Sequence, residues 1–283
     1  MEQGKNIGVK LLDFFIYSNL LISIACFLFT LQTAFAFHAS ETAAAFFGIT
    51  NFIATFTLYN LQRIYQSTKP YTDFRLDWYK RNKKYLFTLI LVFISLYYSV
   101  FINNYAVFKY GLLMYLPAAA FSIIYFLPPF ALRRMPVSKI FLIGGVWAYT
   151  SVFIPLIYNE GVFSFSNIGI REVSYIIAQL LFIAAICVPF DIRDMENDRQ
   201  NSIKTLPVQF GLGKSKTIGI ILLLTYVFLA QNTIQFTVFG ITGLLGILLI
   251  YFSFEHKHRY FFSVLVDGLI VFQFVLYSLF TRN

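Results

Sequence analysis

Hydrophobic residues along the chain gather in blocks about twenty residues long, parted by short polar stretches. A block of that length crosses a hydrocarbon core of roughly 30 Å as an α-helix. The pattern predicts nine spans, at about 10–36, 42–66, 84–103, 107–127, 137–157, 172–190, 215–231, 236–253 and 260–280. The expected fold class is therefore all-α, a polytopic membrane protein whose residues 1–283 form a single transmembrane domain. The first run, Val9 to Phe37, is too long for a secretory signal and is followed by no small-residue cleavage site, so it is expected to stay as a transmembrane helix. Composition agrees: 58% of the 283 residues are hydrophobic and 12% charged, against roughly 25% charged in a soluble domain. Cys26 and Cys187 both lie within apolar blocks, which argues against a disulfide framework or a thiolate metal site.

A net charge of +9 in a soluble protein would suggest a nucleic-acid partner. Here the span pattern turns that charge into a topology signal. Of the 22 Lys and Arg residues, 19 fall in the amino terminus and in the loops after spans two, four, six and eight. The other side carries Lys109, Arg171 and Arg282. Cytoplasmic loops hold the excess of positive charge, so those loops and the amino terminus are assigned to the cytoplasm and the carboxyl terminus to the outside. The expected partner is the lipid bilayer; no nucleic acid or protein partner is implied. Outer loops are short and poor in ionisable groups, whereas the loops after spans two and six run to about seventeen and twenty-four residues and are dense in polar groups. Chemistry is expected on the cytoplasmic side.

The segment from Pro189 to Gly211 is the most informative. With the helix of span six continued past Phe190, Asp191, Asp194 and Asp198 stand at i, i+3 and i+7, on one face. Carboxylates so close repel one another unless a cation lies between them. Magnesium suits the place, because it binds one or two carboxylates and leaves its other positions to water and phosphate oxygens. The structural alternative is a solvated acidic loop with Arg193, Arg199 and Lys204 as counter-charges. Asp267, eight residues into the last span from Arg259, is a functional candidate by its depth or else a structural hydrogen-bonding group. Asn51 and Gln179 are expected to make interhelical hydrogen bonds. Gly211 is expected to end one element before span seven, and His256 and His258 are given no ligand role.

The stretch Asp191-Ile-Arg-Asp-Met-Glu-Asn-Asp198, followed by Lys204-Thr-Leu-Pro-Val208 and Gly211, resembles the second aspartate-rich motif of the UbiA superfamily of membrane prenyltransferases, particularly the branches of quinone biosynthesis. Weaker similarities are Tyr125-Phe-Leu-Pro-Pro129 leading to Arg133 and Arg134, and Arg259 opening the last span. The resemblance implies nine helices in a UbiA-like bundle and transfer of an isoprenoid chain from a prenyl diphosphate donor to a small-molecule acceptor. It implies Mg2+ held by aspartates, here Asp191, Asp194 and Asp198. Physical chemistry points the same way. A diphosphate leaves readily only when cations neutralise its developing charge, and an allylic carbocation needs dry walls with aromatic faces. The chain has 56 aromatic residues from which such walls can be drawn, although lipid contact and interfacial anchoring account for most of them.

The first motif of that family begins with Asn and places Asp residues four and eight positions on, whereas here Asn60 is followed by Ile64 and Thr68. Two repairs are conceivable. Asp73 and Asp77 fold back from an amphipathic turn and restore the carboxylates, or Arg63 and Lys69 bind the diphosphate directly as fixed cations. The second is favoured, because Arg63 lies one turn beyond Asn60. The expected diphosphate-binding set is therefore Asn60, Arg63, Lys69, Lys139, Arg193 and Lys204. Competing readings are a divergent protein that binds isoprenoid lipids without turnover, and a small-solute transporter. Transporters mark their sites with polar residues near mid-membrane, whereas here polar residues gather at one face.

Overall fold

The computed structural model describes residues 7–68, 74–101, 105–126, 138–159, 162–165, 168–231, 235–258 and 260–281. The apolar blocks form helices, because in hydrocarbon each backbone N–H and C=O must find its partner within the segment. In chain order these are α1 (Ile7–Tyr17), α2 (Leu20–Ala36), α3 (Glu41–Ser67), α4 (Phe74–Phe101), α5 (Tyr105–Phe126), α6 (Ser138–Ala148) and α7 (Ile154–Ile157). A π-helical turn, Tyr149–Phe153, joins α6 to α7. A two-residue hairpin, β1 (Tyr158–Asn159) with β2 (Val162–Phe163), leads to α8 (Ile170–Arg193), α9 (Met195–Gln200), α10 (Leu206–Leu229) and α11 (Phe236–Tyr251). A second π-helical turn, Phe261–Val266, runs into α12 (Asp267–Thr281).

Among the described residues six helices are long and apolar enough to cross a membrane, and the bent pair α1 and α2 counts as a seventh. The stretches Leu112–Ile124 and Phe236–Tyr251 are shorter apolar helices. The chain is thus a polytopic all-α membrane protein with six to seven candidate spans, fewer by this measure than the nine expected. Two expected boundaries also change. The first span is broken by 57° between Tyr17 and Leu20, and the loop expected before residue 84 is already helical from Phe74. That early start follows from amphipathicity: Leu76 and Tyr79 are buried while Lys80 is exposed.

The break has an identifiable cause. Asn19 adopts a left-handed conformation with φ of 60°, which asparagine tolerates better than most residues. Turning the chain there frees carbonyls at the end of α1, and two neighbouring helices satisfy them. Asn60 of α3 donates to the Ser18 carbonyl at 2.9 Å, and the Tyr79 hydroxyl of α4 donates to the Tyr17 carbonyl. Asn19 donates in turn to Asn60 Oδ1 at 3.1 Å and to the Tyr79 hydroxyl at 3.0 Å.

Helix α8 lies at the centre, packed against α6 and α10, while α2 packs against α3 and α12. The principal core joins Phe29, Trp147, Tyr175, Phe182, Tyr226 and Phe239. A β-carbon at Gly144 of α6 would lie 2.6 Å from the Leu180 carbonyl oxygen of α8, so only glycine permits this approach. Buried amides pin the helices as expected: Asn51 donates to Thr30 Oγ1 at 2.8 Å and to the Thr150 carbonyl at 3.0 Å, and Gln273 donates to Gln179 at 3.3 Å. Gly211, at φ of 78°, separates Leu206–Phe210 from the body of α10, where the sequence predicts a stop.

Candidate active site

One cavity of about 550 Å³ is lined by α1, α2, α3, α4, α5, α6, α8, α9 and α12, within the usual range for a small-molecule site. Helical spacing explains which side chains enter it. From α6 come Lys139, Leu142, Ile143, Val146 and Trp147, from α3 Leu58, Tyr59, Gln62, Arg63 and Gln66, and from the second π turn and α12 Ser263, Asp267 and Ile270. Helix α8 and its continuation α9 contribute Ile183, Ile186, Cys187, Phe190, Asp191, Asp194, Asn197 and Asp198, a single stripe. The stripe survives the break at Asp194 because the i−4 hydrogen bonds continue, from Asp194 N–H to the Phe190 carbonyl at 3.0 Å and from Asp198 N–H to the Asp194 carbonyl at 2.8 Å.

The cavity has two ends of different chemistry. At one end lie Arg63, Lys139, Asp191, Arg193, Asp194 and Asp198. Lys139 Nζ donates to Asp191 Oδ1 at 2.5 Å, with Asp191 itself only 2% exposed. Arg193 grips Asp194 with both arms, Nε to Oδ1 at 2.7 Å and Nη2 to Oδ2 at 2.8 Å. Its guanidinium also lies 5.0 Å from the Phe190 ring centroid and 5.6 Å from that of Phe262. Asp198 is buried, and its Oδ2 has no hydrogen-bond partner. Burial raises its pKa to about 6; Lys139 pulls it down, while Asp194 and Asp191 push it up. The other end is apolar, walled by Leu21, Ile22, Ile143, Val146, Trp147, Ile183 and Ile270.

The expected site residues fall into three groups. Arg63, Lys139, Asp191, Arg193, Asp194, Asp198 and Asp267 all line this cavity. Three others do not. Asn60 is fully buried, and its amide is spent on the carbonyls of Ser18 and Phe56 and on Asn19, so it braces the helix break instead of facing a diphosphate. Lys204 is exposed and off the cavity wall. Asp77 is on α4, 3.5 Å from Lys80, and restores no carboxylate to the cavity. Lys69 and Asp73, like Arg133, Arg134 and Arg259, lie outside the described residues. Ile64 and Thr68, which stand where carboxylates are expected, have structural partners. Ile64 packs on the cluster of Phe56, Tyr79 and Leu86, and Thr68 donates to the Tyr65 carbonyl at 2.8 Å.

Several polar residues of the cavity escaped the sequence reading. Gln62 with Gln66, and Asn197 with Asn201, are pairs at i, i+4 spacing flanking Arg63 and Asp194, a pattern that points to one face of each helix. Asn19 gave no such signal, being a polar residue inside a long apolar run.

Among the described residues no three His, Cys, Asp or Glu side chains converge to hold a metal by themselves. Magnesium asks for less, one or two carboxylates with water and phosphate oxygens completing the shell. The unpartnered Asp198 oxygen beside the paired Asp191 and Asp194 fits that requirement, provided that an arriving ion and anion take over the partners now supplied by Lys139 and Arg193.

The chain matches the family model of the UbiA prenyltransferase family over residues 79–262. Over 160 residues, 52% of this chain, it is 26% identical to the probable homogentisate phytyltransferase 2, chloroplastic, of Oryza sativa subsp. japonica, of whose length the match spans 41%. Among solved structures, a UbiA homologue from Aeropyrum pernix K1 superposes with a TM-score of 0.63 at 15% identity, over 90% of this chain and 97% of that one. A UbiA homologue from Archaeoglobus fulgidus bound to DMAPP and Mg2+ superposes with a TM-score of 0.57 at 16% identity, over 93% of this chain and 99% of that one.

Proposed function

The chain belongs to the UbiA prenyltransferase family, and from that premise we propose that it moves an isoprenoid chain from a prenyl diphosphate to an acceptor within the membrane, with magnesium assistance. One observation carries the reading: a single cavity joins a rim of three carboxylates and three cations to an apolar chamber. The rim matches a metal-bound diphosphate and the chamber an isoprenoid tail. The Archaeoglobus fulgidus homologue, bound to DMAPP and Mg2+, supports the same pairing of ligand and ion.

Asp198, with Asp191 and Asp194, would hold magnesium, which when bound neutralises charge developing on the departing diphosphate. Arg63 and Lys139 are placed to take the diphosphate oxygens by charge-assisted hydrogen bonds. Arg63 stands in for the carboxylates missing from the first motif, a fixed cation on α3 in place of a second metal. Trp147 and Tyr59 offer aromatic faces to an allylic cation, and the surrounding aliphatic wall keeps water from it. The excess of Lys and Arg in the loops on this side supports a rim at the cytoplasmic face of the membrane.

Purified protein in lipid nanodiscs, given magnesium, labelled geranyl or dimethylallyl diphosphate and a panel of aromatic acceptors, tests the proposal. Metal-dependent product that disappears in Asp191→Ala and Asp194→Ala supports it. Ile64 and Thr68 favour a second reading, in which the protein binds prenyl diphosphates without turning them over; tight donor binding with neither product nor diphosphate release would establish that instead.

A further inference from the structure

Below the rim, the cavity wall carries few polar groups: Tyr59, Cys187, Ser263 and Asp267. Asp267 opens α12, and its N–H bonds back across the π turn to the Phe262 carbonyl. Ser263 and Asp267 therefore share the face that lines the cavity, while Phe262 and Val266 of the same turn are buried in the core. Insertions of π turns often serve to re-aim a side chain in this way.

A structural role for Asp267 would require a partner on another helix. Among the described residues it has no hydrogen-bond or ion-pair partner. Arg193 is the charge that bears on it, and that guanidinium is already engaged by both oxygens of Asp194. A carboxyl in an apolar chamber with no hydrogen-bond donor of its own is costly. Asp267 lines the same cavity as Cys187, which precedes Asp191 by four residues on the same face, about 6 Å along the helix at 1.5 Å per residue. A donor held by its diphosphate at the rim would present its first carbon near this level, where an acceptor must meet it.

Building on the proposed prenyl transfer, we infer that Asp267 recognises the acceptor, accepting a hydrogen bond from a neutral hydroxyl group and then receiving its proton. In the step, the bond from the first prenyl carbon to the diphosphate oxygen breaks, and the electron pair leaves with the diphosphate. A bond forms from that carbon to the hydroxyl oxygen or to the ring carbon it activates, and the hydroxyl proton passes to the Asp267 carboxylate; after ring attack, the dienone regains aromaticity when the hydrogen on the alkylated carbon is lost and the oxygen is reprotonated. The same charge excludes an acceptor that presents a carboxylate at this end, since two anions in an apolar pocket repel strongly.

The test uses the full chain in nanodiscs and two readouts. Binding of 1-naphthol and of its methyl ether, followed by titration calorimetry, reports hydroxyl recognition without turnover. Transfer from geranyl diphosphate to 1-naphthol reports proton removal. Wild type should bind the naphthol at least about tenfold more tightly than the ether, as expected for a buried hydrogen bond to a charged group. Asp267→Ala should erase that preference. Asp267→Asn, which can still accept a weaker, uncharged hydrogen bond but not the proton, should keep part of the preference and lose on the order of 10²- to 10⁴-fold in kcat, the usual contribution of a general base. Melting temperatures of both variants separate these losses from misfolding, and Asp267→Asn, of the same shape, is the informative variant if the alanine form unfolds. An equal affinity of wild type for naphthol and ether, or an unchanged kcat in Asp267→Asn, overturns the inference. Failure of wild type to bind geranyl diphosphate with magnesium would instead overturn the prenyl-transfer reading, which the naphthol comparison does not depend on.

Discussion

Two helix ends face each other across the cavity rim, and they carry opposite charge. The end of α8 with α9 supplies Asp191, Asp194 and Asp198; the end of α3 supplies Arg63 with Gln62 and Gln66. Of these acids Asp191 and Asp194 already have a cation and Asp198, among the described residues, has none, so the stripe is held together by Lys139 and Arg193. On α3 no carboxylate enters the cavity, and among the described residues the Arg63 guanidinium bonds a neutral amide, Gln66 Oε1, at 3.1 Å. An acidic strip binds an anion only through a metal, whereas a guanidinium binds it directly. The difference teaches that the two halves of the proposed diphosphate clamp need not be built alike: one side can use a metal bridge and the other a fixed charge.

The largest effect should come from breaking the acidic side. Asp191→Asn or Asp194→Asn is expected to lower kcat/KM on the order of 10³-fold, comparable to removing a principal electrostatic group from an active site, and calorimetry should show lost magnesium binding in the same variants. The cationic side should cost less. Arg63→Ala is expected to weaken donor binding by about 10- to 100-fold, as for a hydrogen bond to a charged group, with Arg63→Lys recovering part of it and Lys204→Ala, off the cavity wall, leaving it unchanged. If Lys204→Ala weakens binding as much as Arg63→Ala, the contrast between the helix ends is wrong.

Asn60→Ala separates bracing from binding. It leaves the Ser18 carbonyl unpaired and should lower stability by about 1–3 kcal/mol, read as a lower melting temperature, with donor affinity of the folded fraction retained. The smallest effect concerns Asp198. Its carboxyl has a pKa near 6 in the fold against about 3.9 in an unfolded chain, so the folded state favours the protonated form. That contribution to stability is complete below about pH 4 and is lost as pH rises through about 6. Magnesium-free protein should therefore melt at a lower temperature at pH 7.5 than at pH 5, and Asp198→Asn should flatten the difference.

The sequence revealed the acidic side well and the cationic side only partly. Asp191, Asp194 and Asp198 were legible because they stand at helical spacing where an apolar run ends, and local periodicity alone puts them on one face. Asn60 was misplaced because motif spacing gives a residue type without saying what its amide bonds to, and here a neighbouring helix break takes all of it. That break was invisible, since Ser18 and Asn19 interrupt an apolar run by only two residues. The same limit explains Lys204, whose place depends on how the chain turns after α9, and the span count, which depends on helix length in three dimensions as well as on hydropathy.

Gly144 carries a consequence for the spacing of charges at this rim. Helix α6 touches the α8 backbone there through a missing side chain, and Lys139 lies five residues away at the mouth. Backbone meeting backbone at that point leaves no slack between α6 and α8, so the distance between the ammonium group and Asp191 at the mouth is fixed by the approach of the two helices rather than by the reach of a flexible side chain alone.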